Sequence, residues 1–215
     1  MRSSKSSKRH RRQGAPTLPS RSSRGPQQAP ETWLYGLHAV SAALANPRRK
    51  LNRALLTARA AQALGPGLLS GVTVEPVEAE AIVRLLPPGA VHQGAALSCD
   101  PLPSRGLDEI LARSFPPVGR TDLASPTSQE ESRRIVLVLD QLSDPHNVGA
   151  ILRTAAAFGV TCVVVQDRHA PPQSGALAKA ASGAIEVVPY VEVVNVARAL
   201  DKLGKAGFWR VALGS

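Results

Sequence analysis

The order of apolar and polar positions in the first part of the chain predicts alternating strands and helices. Strand-type composition is found in three segments, residues 51–57, 72–77 and 95–98. Helical spacing predicts an Ala-rich helix that ends before Pro47 and two more helices over residues 58–64 and 78–86. We expect Ile82, Leu85 and Leu86 to point inward from the last of these. This alternation is typical of a small α/β sandwich.

In the second part, residues 135–139 and 161–165 are apolar at almost every position. A strand that is apolar on both sides is buried on both faces, as in a parallel sheet covered by helices. Residues 185–188 and 208–212 are two further strand candidates, and helical segments lie near residues 148–158, 174–183 and 193–204. Four strands with three intervening helices predict a parallel, right-handed α/β layer.

Prolines and charged residues separate these two parts, which predicts a linker over residues 101–133. Within it, Ile110 and Leu111 could form a short helix. The predicted organisation has four parts: a disordered basic tail over residues 1–32, a first domain over 33–100, the linker over 101–133, and a second domain over 134–215.

The charge is concentrated at the N-terminus. The chain has a formal net charge of +10, yet eight of its basic residues and no acidic one precede Glu31. Such a polybasic arm gains affinity for nucleic acid by releasing counterions from phosphates, so we expect Lys8, Arg9, Arg11 and Arg12 to bind RNA. Two alternatives remain open: an organelle transit peptide, and a solvated tail that only keeps the protein soluble.

Composition excludes several classes of protein. No apolar run is long enough to cross a bilayer, and aromatic residues make up only 3%, too few for a platform on which single-stranded bases stack. Cys99 and Cys162 form neither a disulfide framework nor a zinc spacing, which fits reduced thiols in the cytoplasm. His38 and His92 have no partners at metal-binding spacing, and we expect no metal site.

The end of the first strand in the second domain is the candidate ligand site. Ligands bind at the carboxyl ends of parallel strands, and residues 140–149 follow such an end. We expect Asn147 to cap the following helix and Arg153 to lie off its apolar stripe, among small residues. An arginine there could clamp a phosphate with two parallel hydrogen bonds. From the residues alone, the favoured interpretation is a capping asparagine and a solvated arginine without a ligand.

Residues 139–160, LDQLSDPHNVGAILRTAAAFGV, resemble the first motif of the SpoU/TrmH family of RNA methyltransferases. Three other segments agree: YGLHAVSAAL resembles the start of that family's L30e-like substrate-binding domain, VHQGAAL its end, and KAASGAIEVVPYVEVVNVARAL the stretch after the first motif. The resemblance covers residues 33–215. It implies an α/β fold, with a small L30e-like α/β sandwich followed by a parallel-sheet SPOUT domain of the trefoil-knot type.

The resemblance also implies a function. The family transfers a methyl group from S-adenosylmethionine to a ribose 2′-OH in structured RNA, and it acts as a homodimer whose active sites form at the subunit interface. The L30e-like domain favours 23S rRNA, with a guanosine of the peptidyl-transferase region as first choice and tRNA as second. The family's motif asparagine and arginine, which are its catalytic residues, fall on Asn147 and Arg153.

Two later motifs of the family, a glycine-rich turn with a glutamate and a Ser/Leu/Asn loop that encloses the cofactor, are not in this sequence. We therefore expect the SPOUT domain to be incomplete at its C-terminal end. Gly214 and Ser215 resemble one edge of the cofactor pocket. Three interpretations are open, and we expect the first: a fragment of a longer enzyme, a truncated and inactive relative, or an RNA-binding protein that does not use the donor.

Overall fold

A computed structural model describes residues 32–114 and 135–213, which belong to one compact unit. The strands are β1 Thr32–Tyr35, β2 Leu51–Leu56, β3 Thr73–Pro76, β4 Ala95–Cys99, β5 Val136–Leu139, β6 Cys162–Gln166 and β7 Tyr190–Val193. The helices are α1 Leu37–Ala45, α2 Ala58–Leu69, α3 Ala79–Leu85, α4 Leu107–Ser114, α5 Pro145–Ala157, α6 Gly175–Ala180 and α7 Val196–Lys205. A 3₁₀ helix covers Ala184–Glu186. The basic tail, Gly214 and Ser215 lie outside the described residues.

The first half of the structure, residues 32–99, is built on a four-stranded sheet in the order β1-β4-β2-β3. β4 pairs antiparallel with both β1 and β2, whereas β2 and β3 run parallel. All five residues of β4 are buried, because this central strand is covered on both faces. One face packs against α1 and α2, and the other against Ile82 and Leu86 from the α3 segment. The predicted α/β sandwich is confirmed.

The second half, residues 135–205, contains a three-stranded parallel sheet in the order β5-β6-β7, as the apolar runs predict. The central strand β6 is buried at its first four positions. The residues of β5 are only half-buried, because within the described residues β5 pairs with β6 alone and so forms an edge. The α/β fold class is confirmed.

Two of the four predicted strands in this half are wrong. Residues 185–188 do not form a strand; the 3₁₀ helix lies there, and the strand starts later, at Tyr190. The cause is Glu186, whose backbone carbonyl accepts hydrogen bonds from Asn46 and Arg48 instead of a neighbouring strand. Residues 208–212 are irregular, because the Phe208 amide donates to Leu203 at the end of α7.

Smaller departures concern the ends and faces of helices. The strand β1 was not predicted from the sequence. In α3, Leu85 is 41% exposed, although its helical spacing predicts a buried side chain. The Gly65-Pro66-Gly67 run interrupts α2 as predicted, since Gly65 (φ 76°, ψ 158°) is not helical, and a further helical segment then follows to Leu69. α4 confirms the short helix expected in the linker region. It packs Leu107 and Ile110 against the second sheet.

The two halves share one core. A single buried apolar cluster contains residues of both, among them Leu34, Val40 and Leu56 from the first and Leu152 and Leu177 from the second. Each fully buried side chain of this kind contributes roughly 1.5–3 kcal/mol to stability. The halves are therefore joined by continuous packing as well as by the chain that connects them.

A buried ion pair lies within this junction. Arg49, in the turn after α1, pairs with Glu186 of the 3₁₀ helix, and both side chains are almost fully buried, at 1% and 2% exposure. Asn46 Nδ2 donates to the same carboxylate at 2.7 Å, and the Arg49 guanidinium also donates to the Asp100 carbonyl at 2.9 Å. The charges and polar groups thus satisfy one another, as burial requires.

Close backbone contacts complete the junction. Gly183 adopts a left-handed conformation (φ 85°), and a Cβ added there would collide with the Ala42 side chain of α1. Nearby, Lys179 Nζ donates to Gln93 Oε1 at 2.6 Å, and the same oxygen accepts the Leu37 amide at 3.2 Å. Burial lowers the pKa of Lys179. These contacts hold α6 against the start of α1.

Replacement of Arg49 by Met should strongly destabilise the protein. Removing one partner leaves a buried, uncompensated carboxylate, which should lower the free energy of unfolding by about 3–5 kcal/mol. Urea denaturation measures the loss. Arg49→Met combined with Glu186→Leu should recover much of it, since apolar residues can replace a buried pair.

The exposed pair of Lys50 and Asp100 provides the matched control. Lys50→Gln should change the urea midpoint only slightly, because exposed ion pairs contribute little. An Arg49→Met protein as stable as the Lys50→Gln protein would contradict the role assigned to the buried pair.

Both cysteines should be unreactive in the folded protein. Burial raises the pKa of Cys99 and that of Cys162 to about 11, so below that pH each stays a neutral thiol. At pH 8, a disulfide reagent such as Ellman's should label neither residue in the native chain and both in urea. Rapid labelling of the native chain would show that these thiols are accessible.

Candidate active site

Helix α5 carries both predicted catalytic residues, and its start differs from the expectation. Asp144, not Asn147, is the N-cap: its carboxylate accepts the amides of His146 and Asn147 at 3.2 and 3.1 Å. The helix begins earlier because Pro145 suits the first helical position, where no amide hydrogen is needed. Asn147 therefore lies in the first turn with an exposed side chain.

A close contact with α6 fixes the position of α5. A Cβ added at Gly149 would stand 2.5 Å from Ala180 Cβ and 2.8 Å from the Ala181 amide nitrogen. Only glycine permits the two helices to approach this closely. Because α6 is itself held against the first half, α5 is held at a defined place relative to that half.

The two faces of α5 are as the spacing predicts. Val148, Leu152 and Ala155 are buried against the core, whereas Arg153 is exposed. The neighbours of Arg153 on the exposed face are small, namely Ala150, Thr154 and Ala157. No hydrogen bond or ion pair to another described residue engages the guanidinium, so its donors remain available to a ligand.

Asn147 and Arg153 are on one helix but do not form a cluster. They are six positions apart, which corresponds to about 9 Å along the axis and about 120° around it. Neither side chain hydrogen-bonds to the other. A ligand could contact both side chains of one chain only by wrapping around the first two turns of α5. Otherwise, a ligand bound to one of them would meet its second polar group on another chain.

The arrangement limits the chemistry of Arg153. A guanidinium has five donors and no acceptor, so it binds and stabilises anionic oxygens but does not take up a proton. Small neighbours let a bulky ligand approach it closely. The exposed face of α5 can therefore bind a phosphate or stabilise an oxyanion.

A cavity of about 620 Å³ opens near the carboxyl end of β7, and its volume suits a nucleoside-sized ligand. Neither Asn147 nor Arg153 lines it. Its charged lining residues are Arg198 and Lys202, and Lys202 Nζ is paired with Asp108 at 2.6 Å. No described carboxylate lines the cavity to attract the sulfonium of S-adenosylmethionine. Gly214 and Ser215, the pocket edge suggested by the sequence, lie outside the described residues.

The described residues contain neither a candidate metal centre nor a helix suited to a membrane. No group of three or more His, Cys, Asp or Glu side chains in residues 32–114 and 135–213 could hold a metal ion. In the same ranges, no helix combines the length and the apolar character needed to span a membrane.

Sequence reasoning missed three elements that position α5. The Asp144-Pro145 pair is a recognisable helix start, so the cap could have been found. Glu186 is a single acid in an apolar run, which signals a buried partner but not that the partner is Arg49. Gly149 gave no local signal, because its role depends on how closely α6 approaches.

Family models match both halves of the chain. Residues 33–105 match the model described as RNA 2′-O ribose methyltransferase substrate binding. Residues 134–215 match the model of the SpoU rRNA Methylase family, which includes α5.

Curated relatives agree. The chain is 35% identical over 187 residues to the 23S rRNA (guanosine-2′-O-)-methyltransferase RlmB of Vibrio vulnificus, which covers 83% of this chain and 68% of the relative. It is 32% identical over 182 residues to an uncharacterized tRNA/rRNA methyltransferase of Synechocystis, covering 82% of this chain and 44% of the relative.

Solved structures share the fold. The SpoU methyltransferase AviRb from Streptomyces viridochromogenes superposes with a TM-score of 0.57 at 18% identity, covering 82% of this chain and 58% of that one. The AdoMet-bound rRNA methyltransferase from Sinorhizobium meliloti gives a TM-score of 0.58 at 18% identity, with coverages of 82% and 59%. The chain thus spans less than three fifths of these structures.

Three findings support one family assignment: the two matched family models, the identity to curated relatives and the shared fold. The chain belongs to the SpoU family of RNA methyltransferases.

Proposed function

We propose that the protein methylates a ribose 2′-OH in ribosomal RNA, with S-adenosylmethionine as the methyl donor. The observation that carries this proposal is the presence, in one compact unit, of a half that matches the substrate-binding model and a half that matches the SpoU methylase model. The relatives named for this reaction at 35% identity support it.

The chemistry assigns a role to Arg153. A ribose hydroxyl is a poor nucleophile, and it must lose its proton as its oxygen attacks the methyl carbon. The exposed guanidinium binds the adjacent phosphate and stabilises the negative charge that develops on the 2′ oxygen. The proton leaves to another acceptor, since a guanidinium has no lone pair to receive it.

Asn147 has a second, positioning role in this proposal. Its exposed amide stands in the first turn of α5, next to the carboxyl end of β5. From there it can donate to and accept from the loop or the attacking hydroxyl. S-adenosylmethionine supplies a methyl group on a sulfonium sulfur, and AdoMet is named for solved structures of similar fold. We assign no described residue to the donor.

For the substrate, we propose a guanosine of 23S rRNA, with tRNA as second choice. The name of the Vibrio relative supports the guanosine. In this proposal, residues 33–100 bind the RNA, and the basic tail adds contacts through Lys8, Arg9, Arg11 and Arg12. Residues 134–215 carry out catalysis. Residues 101–133 are the linker between these two parts. Such a substrate places the protein in the cytoplasm.

We also propose that the protein is a homodimer. The geometry of α5 supports this, because Asn147 and Arg153 point to different sides and one chain does not bring them together. The small residues around Arg153 leave a face that a second chain can approach closely. A partner's helix packed there would bring a second set of polar groups to the site.

Arg153→Ala should reduce methyl transfer by at least about a hundredfold, because oxyanion-stabilising groups typically contribute that much. The measurement is incorporation of a radioactive methyl group from S-adenosylmethionine into an unmodified 23S rRNA transcript. Because Arg153 is exposed and unpaired among the described residues, the urea midpoint should not change.

Lys205→Ala is the matched control, since Lys205 is an exposed cation at the end of α7, in the same half as Arg153 but away from α5. It should keep the activity of the unsubstituted protein. Full activity in Arg153→Ala would exclude the proposed role. RNA binding without any methyl incorporation by the unsubstituted chain would favour an RNA-binding protein that does not transfer methyl groups.

Sedimentation should give a mass twice that of the chain. Ala150→Glu, which adds bulk and charge beside Arg153, should shift the protein to a monomer, whereas Ala81→Glu at an exposed position of α3 should not. A monomeric unsubstituted protein, or an Ala150→Glu protein that still dimerises, would contradict a dimer built on this face.

A further inference from the structure

Two arginines outside the proposed active site lie at the junction of the two halves. Arg48, in the turn after α1, and Arg105, in the segment before α4, line the same small cleft. Its remaining walls are Leu102 and Pro103 from the connecting segment and Gln173, Ile185, Val188, Pro189 and Tyr190 from the second half. The cleft is therefore built from both halves and the segment between them.

The charge at this cleft is not neutralised. Within the part of the chain that the structure describes, neither Arg48 nor Arg105 pairs with a carboxylate. The nearby Glu186 is already taken by Arg49, and the carboxylates of α4 pair with Arg113 and Lys202. Desolvation, followed by the positive charge of Arg105, lowers the pKa of Arg48. The cleft thus lacks an anion from the described protein itself.

Arg48 is held in place before any ligand arrives. Its amide donates to Asn46 Oδ1 at 3.1 Å, and its guanidinium donates to the Glu186 carbonyl at 3.1 Å. One edge of the guanidinium is therefore fixed by the junction, while its other donors remain available. A preorganised donor binds a ligand at a lower entropic cost.

The size of the cleft selects the kind of ligand. Its volume is about 20 Å³, enough for one water-sized group such as a single phosphate oxygen, with the rest of the phosphate at the opening, and far too little for a base or an apolar side chain. Arginines around a narrow opening are suited to the tetrahedral oxygens of a phosphate, which they can bind with parallel hydrogen bonds. A backbone phosphodiester meets both requirements.

We propose that Arg48 and Arg105 bind a backbone phosphate of the RNA substrate, an inference that rests on the proposed function. The 3₁₀ helix beside this cleft packs against both α1 and α5. A phosphate bound here is consequently held at a fixed distance from the helix that carries Arg153. The cleft is a positioning site that sets which nucleotide reaches α5.

Arg48→Gln combined with Arg105→Gln tests the site in the full chain. The probe is an unmodified transcript of the peptidyl-transferase region of 23S rRNA. We expect RNA affinity to fall about tenfold or more, since hydrogen bonds between charged groups are strong. The slope of log affinity against log salt should decrease by about one for the lost phosphate contact. KM for the RNA should rise far more than kcat falls.

Lys205→Gln together with Arg210→Gln is the matched control, with the same change of charge at two exposed cations of the second half, outside the residues assigned to RNA binding. It should leave the affinity nearly unchanged. Arg48→Lys, which keeps the charge, should recover part of the loss. Urea midpoints verify that each variant is folded.

Two results would overturn the site and are distinguishable from a failure of the proposed function. If the unsubstituted chain binds and methylates the RNA, but the Arg48/Arg105 variant has the same affinity and salt slope, the site is wrong and the function stands. An equal loss in the Lys205/Arg210 variant would also overturn it. If the unsubstituted chain does not bind the transcript at all, both proposals fail.

Discussion

The buried pair of Arg49 and Glu186 is the interaction on which the arrangement of the two halves depends. It places two charges in the shared core, where each is tolerable only because the other half supplies its partner. Asn46 and the Asp100 carbonyl saturate the remaining hydrogen bonds. A displacement of the halves by a few ångströms would leave both charges unpaired in a medium of low polarity. The apolar packing supplies most of the attraction, and the ion pair selects one relative position.

That position has consequences for α5. The helix is packed on α6 through Gly149, and α6 in turn lies against β1 of the first half. One side of α5 is therefore fixed in the protein, and the side with Arg153 faces outward. A substrate bound by the first half would meet a helix at a set distance and orientation. In this account, the substrate-binding half contributes to the reaction by alignment, the effect that a slow nucleophile such as a ribose hydroxyl needs most.

Local pattern predicted most of the elements but not the contacts between them. The short apolar run of β6 is typical of a strand buried on both faces, and the stripe of α5 has the helical period, so both were predicted correctly. Residues 185–188 have the composition of a strand, and the 3₁₀ helix forms there because Asn46 and Arg48, almost 140 positions earlier, donate to the Glu186 carbonyl while Arg49 binds its carboxylate. No local rule contains that information. For the same reason Arg153 could be placed on an exposed face from spacing alone, whereas the cleft of Arg48 and Arg105 required the packed structure.

The central claim is that this unit directs a methyl group to a ribose oxygen of RNA. The most direct test is to incubate the protein with S-adenosylmethionine and unmodified 23S rRNA, digest the RNA to nucleosides, and identify the methylated product by mass spectrometry. The account predicts a single species, guanosine with the additional mass on the ribose. Methylation on a base, or no methylated nucleoside although the protein binds the RNA, would contradict it.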